Sequence, residues 1–274
     1  MSSVLYLYGF VPAGTAAPGP SLPGLDGSPV RVLELGSFAA AVSLMDAKEY
    51  GEGTVEPRLK DLAWVGSQGA RHEIVVTWFA DHAAILPARL LTVFSSEEAL
   101  RGEAARRQES IAAALQRFRE LREWDLKVSF ESVSLSAHLG ELSREIAALD
   151  AEIQGAPPGR RYLLERRRAD LAQAEAVGVA RRLAQDLLGK LGHFAEEVSE
   201  LDHPVVRDEV PVVLNAALLV HRGRARELES TAAPAVADLR ALGVHATLTG
   251  PWAPYRFTGA QYTGGRIEGD EARV

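Results

Sequence analysis

Cysteine is absent from the 274-residue sequence, and that one absence excludes several kinds of chemistry. Disulfide bridges, thiolate metal sites, iron–sulfur clusters and cysteine nucleophiles all require the missing thiol. The absence does not identify the compartment, because a cytosolic protein can simply lack thiols.

Long hydrophobic runs are missing as well. No segment approaches the roughly 18 uninterrupted apolar residues of a membrane-spanning helix. The N-terminal run Met1-Ser-Ser-Val-Leu-Tyr-Leu-Tyr8 has no basic region before it and is too short for a signal sequence, so it predicts a strand. We therefore expect a cytoplasmic protein without a membrane span.

Positive charge is in the minority, with 30 Lys and Arg against 37 Asp and Glu and a formal net charge of −7. Sequence-independent binding to nucleic acid or to anionic membranes requires clustered basic side chains, so this balance argues against both. The run Arg160-Arg-Tyr-Leu-Leu-Glu-Arg-Arg-Arg168 keeps nucleic acid open as an alternative. Arg-rich helix surfaces are commoner, however, and Glu165, Asp170 and Glu175 dilute the charge.

The usual catalytic and phosphate-binding signatures are also absent. The sequence holds no GxGxxG, GxxxxGK[ST], GxSxG or HExxH motif. His72, followed by Glu73, is the most notable histidine, but a catalytic base would need a nucleophile or a metal partner that the sequence does not supply. We interpret it as a structural imidazole. The other histidines, which show no metal-ligand pairing, are His82, His138, His193, His203, His221 and His245.

Four further features of the sequence have a structural and a functional interpretation. Glu196-Glu197 is interpreted as solvated surface, because neighbours on a helix do not share a face. Asp208-Glu209, which precedes Pro211, is interpreted as the solvated end of a strand. Arg89 in an apolar segment predicts a salt bridge or, alternatively, a partner contact. Trp252 and Tyr255 either close the end of a core or anchor a partner. From the residues alone we predict no catalytic, cofactor-binding or metal-binding residue, no cofactor and no enzymatic activity.

The composition that remains, 47% hydrophobic and 24% charged, is typical of a globular protein, and the length favours two domains. The first half predicts a buried strand at Val4–Val11, a long loop at 12–29, and a hairpin of Val30–Leu35 and Phe38–Leu44 around Gly36-Ser37. A helix is predicted from about Pro57 to Asp81, followed by an extended segment at Ile85–Phe94 that is an edge or a bulge at Pro87. A second helix is predicted from Ser95 or Ser96 to about Leu121. The apolar face of the helix at 57–81 is predicted to hold Leu59, Leu62, Val65, Ile74, Val75 and Trp78.

The second half predicts a different architecture. Trp124–Val133 alternates cleanly as a half-buried strand, and helix-forming residues from 136 to 200, broken at Gly155-Ala-Pro-Pro-Gly159, predict two antiparallel helices. The remaining elements are predicted as strands at Val205–Val210, Val212–Val220 and Val244–Thr249 and a helix at Arg224–Leu242. The order β-α-β-β-α-β is ferredoxin-like, with a helical hairpin arm inserted.

The predicted fold class is therefore α+β with two domains. The N-terminal α+β domain, a hairpin plus two long helices, covers 1–121. The C-terminal domain at 122–257 is a modified ferredoxin-like fold with the helical arm at about 136–200, and a flexible tail covers 258–274.

Eight separated segments, in this order, resemble the gas vesicle protein GvpF/GvpL family over nearly the full chain. They are Leu5-Tyr-Leu-Tyr-Gly9, Val42-Ser43, Arg71-His-Glu73, Leu86-Pro-Ala-Arg89 with Thr92-Val-Phe94, Glu123-Trp-Asp-Leu-Lys-Val128, Tyr162-Leu-Leu-Glu-Arg-Arg167, Asn215-Ala216 and Gly250-Pro-Trp-Ala-Pro-Tyr-Arg-Phe257. Two departures stand out. Leu90-Leu91 replaces the family's usual Phe-Gly, and Ala253 and Arg256 replace its usual Pro and Ser.

The resemblance implies a non-enzymatic accessory protein of gas vesicle formation, located in the cytoplasm and at the gas vesicle. Its partners would be the small hydrophobic shell protein and other gas vesicle accessory proteins. They would bind by strand addition at a free sheet edge or by helix-in-groove docking on the arm. An alternative function is a small-molecule-binding regulatory module of ferredoxin-like type.

Overall fold

The computed structural model describes residues 3–51, 53–201 and 211–258. Within these ranges, contacts divide the chain into two compact units, one of 3–122 with 252–258 and one of 123–251. Residues 252–258 thus pack with the N-terminal unit. The domain boundaries at 121 and 257 stay predictions, and the tail predicted from 258 lies almost wholly outside the described residues.

The N-terminal unit is built on an antiparallel sheet in the order β2-β3-β1-β4, with β5 also paired to β1. Its strands are β1 (Ser3–Pro12), β2 (Arg31–Glu34), β3 (Phe38–Asp46), β4 (Leu86–Pro87) and β5 (Val93–Phe94). The predicted first strand and the hairpin are confirmed, and Pro87 lies in an edge strand. The extended segment predicted at 85–94 is wrong in its middle, because Thr92 N–H turns back to the Arg89 carbonyl at 3.2 Å.

A bulge in β1 decides which side chains share a face. The pairing with β3 shifts between Leu7 and Gly9, which leaves Tyr8 as the extra residue. After such a bulge the inward and outward alternation reverses. Val11, rather than Phe10, therefore joins Tyr6 and Tyr8 in the core on one side of the sheet.

The helices of this unit begin and end differently from the prediction in two places. They are α1 (Ala47–Tyr50), α2 (Val55–Arg58), α3 (Leu62–His82), α4 (Glu97–Arg106) and α5 (Gln108–Arg117). The helix predicted from Pro57 begins at Leu62, because the Asp61 carboxylate caps its first turn by accepting the Ala63 and Trp64 N–H groups. Ser96 caps α4 as predicted, but the helix divides at Arg107, whose φ of −111° and ψ of 16° leave the helical range.

The predicted apolar face of α3 is wrong at three positions. Leu59 is 48% exposed, Leu62 is 82% exposed and Ile74 is 48% exposed. The buried face instead carries two polar side chains that a search for apolar periodicity passes over. Its residues are Gln68, His72, Val75, Val76, Phe79 and Ala80.

The second unit contains an antiparallel sheet in the order β7-β8-β6-β9. Its elements in chain order are β6 (Leu121–Phe130), α6 (Ser132–Leu142), α7 (Arg144–Gly155), α8 (Pro158–Gly192), β7 (Ala195–Glu200), β8 (Val212–His221), α9 (Ala225–Ala241) and β9 (Val244–Trp252). With β6 as the first strand, this is the ferredoxin-like order, and the predicted α+β class is confirmed. The predicted face of Trp124, Leu126, Val128 and Phe130 is buried.

Two predictions in the helical region are wrong. The first helix divides at Ser143, whose hydroxyl caps α7 by accepting the Ile146 N–H at 3.4 Å. The second ends at Gly192, so residues 195–200 form β7, because pairing with the buried strand β8 outweighs their helix propensity. The strand predicted at Val205–Val210, Asp208-Glu209 and His203 lie outside the described residues.

Two clusters of buried side chains lie in the described part of the second unit. The main core lies between the sheet and the helices, and Ala172 is the first residue of α8 in it. Further toward the helix start, Leu149, Ala156 and Leu164 form a small cluster of their own between α7 and α8. The hairpin of α7 and α8 therefore extends beyond the main core as an arm.

Candidate functional site

The most polar part of the core in the N-terminal unit is a cluster of Tyr6, Tyr8, Tyr50, Gln68 and His72, here called the tyrosine–histidine cluster. The side chains of all five are buried, at 6% exposure or less. β1 supplies two of the tyrosines, α1 the third, and the buried face of α3 the amide and the imidazole.

A direct hydrogen bond joins Tyr6 and His72. The Tyr6 hydroxyl lies 2.8 Å from His72 Nδ1 and accepts the N–H of Leu91 at 3.2 Å. Because the Tyr6 oxygen already accepts the Leu91 N–H, we assign the Tyr6 hydroxyl as the donor to His72 Nδ1. Nδ1 is then the unprotonated ring nitrogen, and Nε2 carries the proton of the neutral imidazole. Nε2 is buried and has no strong hydrogen-bond partner among the described residues; the Ala88 backbone contributes only a weak one.

Burial also sets the protonation state of the cluster. It lowers the pKa of His72 to about 4, and the Ala88 backbone opposes this decrease only in part. Burial raises the pKa of Tyr6 and of Tyr8 above the ordinary tyrosine value. The cluster is therefore uncharged at neutral pH, which suits a structural core.

The same tyrosines hold the loop that precedes β2. The Tyr8 hydroxyl accepts the Leu25 N–H at 2.9 Å and contacts Ser43 Oγ at 3.2 Å. Tyr50 bonds to the Gln68 side chain at 2.9 Å and to the Asp26 carboxylate. Residues 24–29 of the predicted long loop are therefore fixed against the sheet.

The returning C-terminal segment is attached to the same place. The Tyr255 hydroxyl donates to Glu73 Oε2 at 3.0 Å, and its ring centroid lies 6.3 Å from that of His72. Ala253 and Phe257 on either side are buried. Tyr255 thus closes the end of a core, which is the structural alternative drawn from the sequence.

Five of the segments that carry the family resemblance meet at the tyrosine–histidine cluster, one of them being Val42-Ser43, whose Ser43 hydroxyl contacts Tyr8. The other four are Leu5–Gly9, Arg71–Glu73, Leu86–Arg89 and the segment 250–257 through its residues Ala253–Phe257. Ala88 N–H bonds to the Tyr8 carbonyl at 2.9 Å, and Leu91 has a φ of 64°. Glycine adopts that φ without strain, which is the physical reason for the family's usual Gly at this position. Sequence reasoning singled out His72 but missed its hydrogen-bond partner Tyr6, which lies 66 residues away.

The other residues singled out from the sequence are dispersed. Arg89 is exposed and forms no salt bridge among the described residues, so the predicted ion pair is wrong. Glu196 and Glu197 are exposed as predicted, although on a strand rather than a helix. In the described ranges, no three His, Asp or Glu side chains are grouped to hold a metal ion. The remaining described histidines are exposed or half-buried: His82, His138, His193, His221 and His245.

One cavity of the N-terminal unit lies between the sheet and α5. It is lined by apolar side chains such as Phe10, Leu86 and Ile111, with Glu103 and Arg107 at its polar side. Its volume is about 30 Å³, which is room for one or two water molecules and far below that of a small-molecule site.

Two open surfaces of the second unit are a strand and the arm. β7 is at the edge of its sheet and is largely exposed, with Val198 39% exposed. On the arm, Tyr162 and Leu163 are 66% and 65% exposed. An unpaired strand edge and exposed large side chains are features that partner proteins use.

Comparison with known proteins settles the family. The family model described as "Gas vesicle synthesis protein GvpL/GvpF" matches residues 4–259. This chain belongs to the GvpL/GvpF family. Gas vesicle protein L of Streptomyces sp. (strain CB03234) is 30% identical over 240 residues, which cover 86% of this chain and 85% of that protein.

Solved GvpF structures have the same fold as this GvpL/GvpF family member. The crystal structure of GvpF from Anabaena sp. PCC7120 matches with a TM-score of 0.67 at 19% identity, covering 94% of this chain and 98% of that one. GvpF from Microcystis aeruginosa matches with a TM-score of 0.63 at 19% identity, covering 93% and 98%.

Family membership confirms the resemblance found in the sequence and supports an accessory role in gas vesicles. The family is one of gas vesicle structural and accessory proteins. Among the described residues, no helix combines the length and the apolar character that crossing a membrane requires.

Proposed function

We propose that this chain is a non-enzymatic accessory protein of gas vesicle formation, which binds the small hydrophobic shell protein and other accessory proteins during assembly. The observation that carries the proposal is the family match over 4–259. The protein works in the cytoplasm and at the growing vesicle, and it acts by offering surfaces to other proteins.

The distribution of polar and apolar groups supports this function. In the tyrosine–histidine cluster, the titratable side chains of Tyr6 and His72 face each other inside the core rather than an open cleft. The exposed large apolar side chains lie elsewhere, among them Tyr162 and Leu163 on the arm. A reaction needs converging groups that substrate can reach, whereas protein binding needs exposed apolar anchors.

A hydrophobic shell subunit needs such a partner for a physical reason. Before it enters the vesicle wall, its apolar surface is in contact with water and favours aggregation. A protein that covers this surface reversibly lowers the concentration of the exposed form. The β7 edge and the arm are the two surfaces through which this chain would do so.

Deletion of the gene tests this function directly. We expect the deletion strain to lack buoyant vesicles, measured by cell flotation and electron microscopy, and the intact chain supplied from a plasmid to restore them. Restoration of vesicles by the plasmid is the control that assigns the loss to this gene. Normal vesicles in the deletion strain would contradict the proposal.

A further inference from the structure

The first turns of α8 extend well past the core of their unit. Residues 158–170 precede Ala172, the first residue of α8 in the main core. Thirteen helical residues span about 20 Å at 1.5 Å each. The small cluster of Leu149, Ala156 and Leu164 holds this part of the helix against α7.

The outer surface of this extension carries large exposed side chains, here called the arm tip: Tyr162, Leu163, Arg166 and Arg167. Tyr162 and Leu163 are 66% and 65% exposed, and both arginines are exposed. Each apolar residue lies four positions before an arginine, so the tip presents two adjacent rows of one apolar and one basic side chain. Tyrosine and arginine, with tryptophan, are the residue types enriched among the anchors of protein interfaces.

The arginines of the tip differ from the other three of the basic run. Arg160 pairs with Glu152, Arg168 pairs with Asp150, and Arg161 donates to the Ala156 carbonyl at 3.4 Å. These three therefore help to fasten the two helices of the arm. Arg166 and Arg167 make no hydrogen bond or ion pair with any described residue. The exposed carboxylates near them on the helix are Glu165 and Asp170.

We propose that the arm tip docks an acidic segment of another gas vesicle protein, one that presents apolar side chains beside its carboxylates. The inference rests on the proposed function and names the surface and the partner chemistry. Arg166 and Arg167 pair with carboxylates of that segment, and Tyr162 and Leu163 pack against its apolar side chains. Complementary charge fixes the register, and burial of the two apolar side chains supplies the affinity.

Site-specific cross-linking in cells that make gas vesicles tests the docking. The full-length chain carries the photo-cross-linker p-benzoylphenylalanine in place of Tyr162, and the captured peptide is sequenced by mass spectrometry. We expect a net negative segment of another gas vesicle protein. The double variant Arg166→Glu with Arg167→Glu should lower the yield at least about tenfold, because like charges then face each other.

A matched control is available on α9 of the same unit. Arg226→Glu with Arg240→Glu makes the same change in charge at two exposed positions away from the tip, and it should leave the yield unchanged. The proposal is overturned if the cross-linked product is a nucleic acid, a second copy of this chain, or a basic or uncharged segment. It is equally overturned if no product forms, or if both double variants lower the yield alike.

Flotation separates this proposal from the function on which it rests. If the deletion strain lacks vesicles and the arm-tip double variant restores them fully, the docking surface is wrong and the accessory function stands. If the deletion strain makes normal vesicles, the function itself fails. If the double variant folds but does not restore vesicles, both are supported.

Discussion

Replacing Gly9 by alanine is expected to lower the free energy of unfolding by about 2 kcal/mol. A β-carbon at this position would lie 2.6 Å from the backbone oxygen of Leu86 and 3.0 Å from the Ile85 side chain. Because the closer obstacle is backbone of the neighbouring strand, it cannot rotate away. β1 and β4 must separate, and the bulge that places Tyr8 in the core is disturbed with them.

Gly66 provides the matched control for this prediction. It is exposed inside α3, and a β-carbon there would meet nothing within 4 Å. Gly66→Ala should therefore raise the free energy of unfolding by about 0.5–1 kcal/mol, because alanine costs less conformational entropy in a helix. Urea unfolding followed by circular dichroism measures both variants. Equal effects of the two substitutions would contradict the close approach at Gly9.

His72 is expected to make the protein less stable as the pH falls from about 7 toward 4. Its pKa is lowered to about 4 in the folded chain, chiefly by burial, whereas an unfolded histidine has a pKa near 6.5. Between these two values the unfolded chain binds a proton that the folded chain does not, so acid favours unfolding. The free energy of unfolding should fall by about 2 kcal/mol through His72 when the pH is lowered from about 7.5 to about 5.

The His72→Gln variant isolates this contribution. Glutamine keeps a polar group near Tyr6 but does not titrate, so the variant should lose less stability on acidification than the unchanged protein, whatever its stability at neutral pH. The same substitution at the exposed His221 serves as the control. If His72→Gln and His221→Gln give parallel curves of unfolding free energy against pH, the burial of His72 does not cause the loss of stability in acid.

The sequence predicts the fold well where a strand alternates or runs through the core. β6 shows its buried face in the alternating positions of Trp124, Leu126 and Val128. β8 shows an apolar run from Val212 to Val220 that only Asn215 interrupts. Residues 195–200 are predicted as helix because the Ala, Glu and Leu residues before them favour helix. They form the strand β7 because they pair with β8. Local propensity cannot report a partner that is distant in sequence.

The tyrosine–histidine cluster shows the same limit at the site. Tyr6 and His72 each look ordinary within their own elements, one in an apolar strand and the other in a weakly patterned helix. Their hydrogen bond depends on how β1 and α3 pack, which no spacing within either element encodes. The eight segments of the resemblance located both residues without showing that they touch.

Co-expression with the shell protein tests the central claim most directly. The intact chain, carrying an affinity tag, is produced together with the small hydrophobic shell protein, and the fraction of shell protein that remains soluble and co-purifies is measured. Binding through protein surfaces predicts that this fraction rises and that the complex forms without any turnover of a small molecule. Shell protein that aggregates to the same extent with and without this chain, and never co-purifies with it, would contradict the claim.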